Sequence, residues 1–97
     1  MSVTVLLEMQ VKPDAVGEMK SILKKMLPDT RAFDGCQSID IYGNTEDSGN
    51  LVFYERWESR KHHESYMAWR REAGAMDQTA AMLVGTPSLR YFERIDV

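Results

Sequence analysis

The sequence has few of the features that mark secreted and membrane proteins. Its 97 residues include a single cysteine, Cys36, so no disulfide can form within the chain, and a reducing compartment such as the cytoplasm is expected. No apolar run approaches the roughly 20 residues that span a bilayer. The N-terminal stretch also lacks the positive region and the cleavage site of a signal peptide. We therefore expect neither a membrane association nor export.

Basic charge is scarce as well. A surface that binds nucleic acid concentrates lysine and arginine, and the formal net charge of −3 argues against nucleic acid as a main partner. Four basic residues of the second predicted helix alternate with glutamates, which predicts a solvated helix face: Arg60, Lys61, Arg70 and Arg71. The hydrophobic content of 43% is typical of a folded protein. The length favours one domain over residues 1–97.

The chain is instead a succession of short periodic segments. Alternating apolar residues predict strands over about 2–11, 36–43, 51–58 and 88–95, with a loose hairpin loop over 44–50. Helical periodicity predicts helices over about 14–27, 60–73 and 75–84, and Pro28 can open one further turn up to residue 31. Asp14 and Ser59 are the expected N-caps of the first two helices.

This βαββαβ order predicts an α+β fold, the ferredoxin-like sandwich. In that fold a four-stranded antiparallel sheet carries its helices on one face. The other face keeps apolar groups such as Leu6, together with aromatic residues of the third and fourth strands. Because nothing in the chain remains to cover that face, we expect a homodimer in which two sheets pack face to face.

The junction between the third strand and the second helix, residues 51–72, holds the most suitable groups for a binding site. Trp57 offers a flat aromatic wall and one N–H donor. His62 and His63 point about 100° apart on a helix, so they cannot both face inward easily. Tyr66 lies at the centre of the apolar arc. These positions predict a pocket lined by Trp57 and Tyr66.

Glu55 is predicted to share the sheet face of Trp57, because alternate residues of a strand point the same way. A buried carboxylate there needs a partner, and Arg90 or Arg94 on the fourth strand is expected to supply an ion pair. A role for Glu55 as a catalytic base is the alternative. No metal site is expected, because two adjacent helical histidines do not provide the three or four ligands that a metal requires.

Two segments resemble a known family. Residues 30–36, TRAFDGC, and residues 53–59, FYERWES, are similar to the antibiotic biosynthesis monooxygenase family of small dimeric α+β barrel proteins. The most specific parts are Tyr-Glu-x-Trp-x-Ser and Arg-x-x-x-Gly-Cys, and the similarity extends over nearly the whole chain. It implies a homodimeric enzyme that oxidises a quinol or a polycyclic phenol with molecular oxygen and needs no cofactor, neither metal nor flavin.

The resemblance also implies site residues. Trp57 matches the pocket tryptophan of the family, and His63 and Tyr66 complete the expected catalytic group, with His63 suited to deprotonate a phenol. The expected pocket lining is Phe53, Glu55 and Met67. Phe53 and His63 stand where polyketide-oxidising members carry an Asn and a Tyr, and Tyr66 stands where many other members carry a His.

Two other functions stay open on the sequence. One is a non-catalytic dimeric module that binds a small aromatic molecule or serves as a pathway accessory. The other is haem binding and degradation, which relatives of this fold perform. Met67 stands where a matching proximal histidine would be, which argues against haem.

Overall fold

A computed structural model describes residues 2–97, which fold in the expected βαββαβ order. The strands are β1 Val3–Gln10, β2 Cys36–Asn44, β3 Asp47–Trp57 and β4 Ser88–Phe92. A 3-10 turn at Pro13–Ala15 precedes the helices α1 Val16–Ala32, α2 Arg60–Glu72 and α3 Ala75–Ala80. The sheet has the order β2-β3-β1-β4, and all neighbours are antiparallel. The predicted ferredoxin-like α+β fold is confirmed.

The two central strands present their alternate residues to the helices. On β3 the residues at every second position from Leu51 to Trp57 are buried, as their period of two predicts. Val5 lies opposite Glu55 and Val3 lies opposite Trp57 in the β1–β3 pairing. The core therefore lies between this sheet face and the helices. Within residues 2–97 no helix combines the length and the apolarity that crossing a membrane requires.

Helix α1 differs from its prediction at both ends. Asp14 belongs to the 3-10 turn, and neither that turn nor α1 has a side-chain capping bond at its N-terminus, so Asp14 as N-cap is wrong. The helix also continues through Pro28 to Ala32 as one element. Tertiary bonds hold this last turn despite the missing proline N–H, because the Thr30 hydroxyl lies 2.7 Å from the Tyr66 hydroxyl.

The predicted loose loop over 44–50 is wrong, because only residues 45 and 46 separate β2 from β3. The polar side chains of this stretch bind neighbouring groups in the hairpin. Asn44 accepts a hydrogen bond from the backbone N–H of Glu46 at 2.9 Å and donates one to the Asn50 side chain at 3.1 Å. Asp47 accepts one from the Gly49 N–H at 3.1 Å. The polar run therefore extends β3 at its start.

The C-terminal elements are shorter than predicted. Helix α3 ends at Ala80, not at residue 84, and β4 ends at Phe92, not at residue 95. The segment after α3 pairs with the end of β1: the Val84 N–H donates to the Gln10 carbonyl at 2.7 Å. These sheet-like bonds compete with helical ones for the same backbone groups, which explains the early helix end.

Candidate functional site

A partly open cavity of about 100 Å³ lies between the sheet and the helices. Most of its wall is apolar, and five flexible methionines contribute to it: Met9, Met19, Met26, Met67 and Met76. A few polar groups interrupt that wall: Thr30, Glu55, Tyr66, Arg70 and Thr79. An apolar cavity with a small number of polar groups is typical of small-molecule sites.

Glu55 is the carboxyl group in the cavity wall. Strand β3 places it on the helix-facing side, where it is only 2% exposed, and its Oε1 accepts a hydrogen bond from Trp57 Nε1 at 2.9 Å. Burial raises the pKa of Glu55 to about 7, and this effect outweighs the Trp57 N–H, which acts to lower it. A carboxyl with such a pKa can exchange a proton near neutral pH.

The expected ion pair of Glu55 with an arginine of the fourth strand is wrong. Arg90 lies opposite Leu6 in the β1–β4 pairing, which puts it on the sheet face away from the helices. Its guanidinium is 3.9 Å from Glu8 there. Among residues 2–97, no ion pair forms between Glu55 and Arg94 either. With no cation beside Glu55 among residues 2–97, desolvation is the dominant effect on its pKa.

His63 packs beside Glu55, outside the cavity lining, and is 1% exposed. Its Nε2 is 3.9 Å from Glu55 Oε1, and its Nδ1 shares a hydrogen bond of 2.7 Å with the Tyr91 hydroxyl. Burial lowers the pKa of His63 to about 4, so the imidazole is neutral at pH 7. Burial also raises the pKa of Tyr91. The sequence offered no signal for Tyr91, because its contact with His63 depends on the register of β4.

A second polar cluster forms where α1 meets α2. The Tyr66 hydroxyl lies 2.7 Å from Thr30 Oγ1 and accepts a hydrogen bond from Arg70 Nε at 3.0 Å. Arg70 Nη2 donates to Thr30 Oγ1 and to the Met26 carbonyl, each at 2.9 Å. The prediction of Arg70 as a solvated residue is wrong, because it follows Tyr66 by four positions and shares its inward helix face. That spacing was the available signal.

The residues predicted for the site fall into two groups in the structure. Four of them line the cavity: Phe53, Glu55, Tyr66 and Met67. Trp57 and His63 do not line it; both are buried beside Glu55, with their ring centroids 5.4 Å apart. His62 lies outside this group and binds Ser59 Oγ through Nδ1 at 2.7 Å. Ser59 also accepts the His62 N–H, as expected of an N-cap.

The arrangement suits proton transfer to and from a small aromatic molecule. Its apolar wall excludes water from the ring of a bound molecule. Glu55 provides one carboxyl group at that wall that can exchange a proton. In the part of the chain from residue 2 to residue 97, no three His, Cys, Asp or Glu side chains are grouped to hold a metal ion. The groups that can act on a ligand are therefore Glu55, Tyr66 and Arg70, supported by Trp57 and His63.

Comparison with known proteins shows the family. The model of the antibiotic biosynthesis monooxygenase family matches residues 2–74. Rv0793 from Mycobacterium tuberculosis, provisionally named a monooxygenase, is 36% identical over 80 residues, which cover 76% of this chain and 78% of Rv0793. The solved structure of Rv0793 superposes with a TM-score of 0.87 at 27% identity, covering 100% of this chain and 98% of the other.

The fold is also shared with more distant proteins. A conserved protein from Methanosarcina mazei Go1 superposes with a TM-score of 0.89 at 18% identity and covers 98% of this chain and 94% of its own. At that identity the similarity shows the fold alone. The family match and the similarity to Rv0793 carry the assignment. The chain therefore belongs to the antibiotic biosynthesis monooxygenase family.

Proposed function

We propose that this protein is a cofactor-independent monooxygenase that oxidises a single-ring phenol or quinol with molecular oxygen. The observation that carries the proposal is the Glu55 carboxyl in the wall of an apolar cavity, where its pKa is about 7. Membership of the family supports the reaction class. The family alone leaves the substrate open, because one fold serves many reactions.

The size of the cavity favours a single ring. An engineered apolar cavity of about 150 Å³ binds benzene, and the present cavity is about 100 Å³. A single ring therefore enters after modest rearrangement of the methionine side chains, which adapt easily. A polycyclic phenol is larger than this cavity and would extend out of its open side. Among the substrates that the resemblance implies, a quinol or a polycyclic phenol, the cavity size favours the smaller members.

The chemistry needs one base and a dry site. Glu55 accepts the phenolic proton, and the electron-rich phenolate passes one electron to O₂, which leaves a substrate radical and superoxide. The two combine at the ring carbon para to the oxygen, or ortho to it where the para carbon is already substituted, as in a hydroquinone, and loss of water yields the quinone. The balance is one phenol or quinol plus one O₂, giving one quinone and one water. The apolar wall protects the radical pair from solvent.

The buried neighbours of Glu55 prepare it for this role. The Trp57 N–H fixes one carboxyl oxygen, so Trp57 positions the base. His63 was predicted as the base itself, but its imidazole lies behind Glu55 and its low pKa makes it a weak proton acceptor. We assign the proton transfer to Glu55 and a positioning role to His63. Tyr66 lines the same cavity, and its side chain can contact the substrate.

Oxygen uptake with a panel of hydroquinones and monocyclic phenols tests the proposal. We expect consumption above the buffer rate, and a loss of about 10²-fold or more in Glu55→Gln, which keeps the shape but cannot accept the proton. Glu58→Gln is the matched control, since Glu58 is an exposed carboxylate close by in sequence. No oxygen consumption by the wild-type protein, or full activity of Glu55→Gln, would contradict the proposal.

We also propose a homodimer that packs through the helix-free face of the sheet. Three aromatic residues on that face are exposed: Tyr42, Tyr54 and Phe92. The same face carries carboxylates, Glu8 and Asp40, and arginines, Arg56 and Arg90, so it can pair with itself around a two-fold axis. Light scattering should give twice the mass of the chain, and Tyr54→Glu should shift it to the monomer; a wild-type monomer at micromolar concentration would refute the dimer.

The reducing cytoplasm is our proposed location. The lone cysteine, Cys36, has no partner within the chain for a structural disulfide. Fractionation of cells that express the protein at native level tests this, and recovery in an exported fraction would contradict it.

A further inference from the structure

The Arg70 guanidinium is a buried charge without a counter-ion in the described chain. Its residue is 8% exposed and lines the same cavity as Glu55. Within residues 2–97 no Asp or Glu forms an ion pair with it. A buried charge without an opposite charge is costly, so such groups are normally paired.

The hydrogen bonds of Arg70 use only some of the N–H groups of its guanidinium. A guanidinium has five N–H groups. Three of them donate to neutral oxygens: Nε to Tyr66, and Nη2 to Thr30 and to the Met26 carbonyl. In residues 2–97 the two N–H groups of Nη1 have no protein acceptor. Arg70 lines the cavity and Nη1 is not sealed from solvent, so its two N–H groups are the donors on which a ligand can replace water.

The rest of the site fixes the guanidinium in place. Its carbon lies 4.7 Å from the centre of the Trp69 ring and 5.3 Å from that of Tyr66. Aromatic faces attract a cation but do not neutralise it. Glu55, the carboxyl group in the cavity wall, supplies no lasting negative charge below pH 7, because burial raises its pKa to about 7.

We propose that the cavity selects ligands with an anionic oxygen on a single aromatic ring, a carboxylate or a phenolate, bound by Arg70 Nη1. The ring packs against the methionines. This deepens the proposed function, on whose cavity it rests: the substrate carries one oxygen that Glu55 deprotonates and a second, anionic oxygen that Arg70 binds. A hydroxybenzoate or the monoanion of a quinol has this pattern.

Calorimetric titration with benzoate and benzamide tests the selection directly. The two ligands have the same shape, and only benzoate carries a charge. We expect benzoate to bind the wild-type protein about tenfold or more tightly than benzamide, as a charge-assisted hydrogen bond implies. Arg70→Met should abolish the preference. Arg71→Met is the matched control, because Arg71 is the exposed neighbour on the same helix, and it should keep the preference.

Further measurements distinguish a carboxylate from a phenolate ligand and check that the variants are folded. The ionised form of 4-nitrophenol compared with 4-nitroanisole repeats the test for a phenolate. Arg70→Lys keeps the positive charge but lacks the planar guanidinium, so it should retain part of the preference for the anionic ligand. Circular dichroism establishes that each variant is folded. The wild-type comparison does not depend on any variant.

Equal binding of benzoate and benzamide by the wild-type protein, together with equal binding of the phenolate pair, would overturn the inference. A preference that survives in a folded Arg70→Met would do the same. The outcome is independent of oxygen uptake. Charge selection without oxygen consumption removes only the proposed reaction, and oxygen consumption without charge selection removes only this inference.

Discussion

Glu55 and His63 make opposite contributions to the pH dependence of folding, and replacing one of them exposes the other. The perturbation is Glu55→Gln, which imitates the protonated carboxyl and can still accept the Trp57 N–H. Both side chains are almost fully buried, at 2% and 1% exposure, so solvent screening of their pKa shifts is small.

The contribution of Glu55 falls as pH rises. Its pKa is raised from 4.5 to about 7 in the folded protein. The unfolded chain therefore loses this proton between pH 4.5 and pH 7 while the folded protein keeps it, so the free energy of unfolding decreases across that window. A difference of this size corresponds to about 3 kcal/mol. This stability is fully present below pH 4.5 and absent above pH 7.

His63 acts in the opposite direction. Its pKa is lowered from 6.5 to about 4, so the unfolded chain binds a proton in that window and the folded protein does not. The contribution of His63 is present above pH 6.5 and is lost, by about 3 kcal/mol, as pH falls through 4. Between pH 4.5 and pH 6.5 the two contributions to the slope of the free energy of unfolding against pH cancel in the wild-type protein.

Urea unfolding between about pH 5 and pH 8 measures both effects. The stability of Glu55→Gln relative to wild type should rise by about 2 to 3 kcal/mol over that range. Glu72→Gln, at an exposed position, should run parallel to wild type. Parallel curves for Glu55→Gln would refute the reasoning. A relative stability that falls with pH would refute it as well.

Three further substitutions probe contacts around the site, each by urea unfolding. Tyr91→Phe removes the hydroxyl partner of His63 Nδ1 and should cost about 1–3 kcal/mol; no loss would disprove that bond. Gly35→Ala should destabilise by more than about 1 kcal/mol, because Gly35 has φ of 89° and a Cβ would meet the His62 side chain; a neutral result would contradict the turn. Ser59→Ala removes a helix cap and should cost about 1 kcal/mol, whereas an unchanged stability would argue against capping.

The part of the site on β3 could be predicted because a strand has a simple period. Once Trp57 is placed inward, Glu55 and Phe53 must share its face. The structure has all three buried. The inward face of α2 was harder to predict, because its charged residues surround a narrow apolar stripe. Tyr66 fixed the phase of that stripe, and Arg70 falls on it four residues later, although its charge favoured a solvated interpretation.

The neighbours of Glu55 could not be predicted, because they depend on pairing between distant strands. A shift of one residue in the β1–β4 register would move Arg90 to the helix side and Tyr91 away from it. The observed register places Arg90 opposite Leu6 and Tyr91 opposite Val5. The sequence around β4 has apolar and charged residues on both faces, so its own pattern does not choose between these registers.

The two proposals about the cavity depend on one arrangement, the lack of an ion pair between Glu55 and Arg70 in residues 2–97. If the two side chains were paired, the guanidinium would lower the pKa of Glu55, and a carboxylate with a low pKa is a poor acceptor for a phenolic proton. The same pair would neutralise Arg70 and remove its attraction for an anion. The fold holds Glu55 on a strand and binds Arg70 to oxygens of α1 and to Tyr66. This separation keeps a base and a cation available in one small cavity.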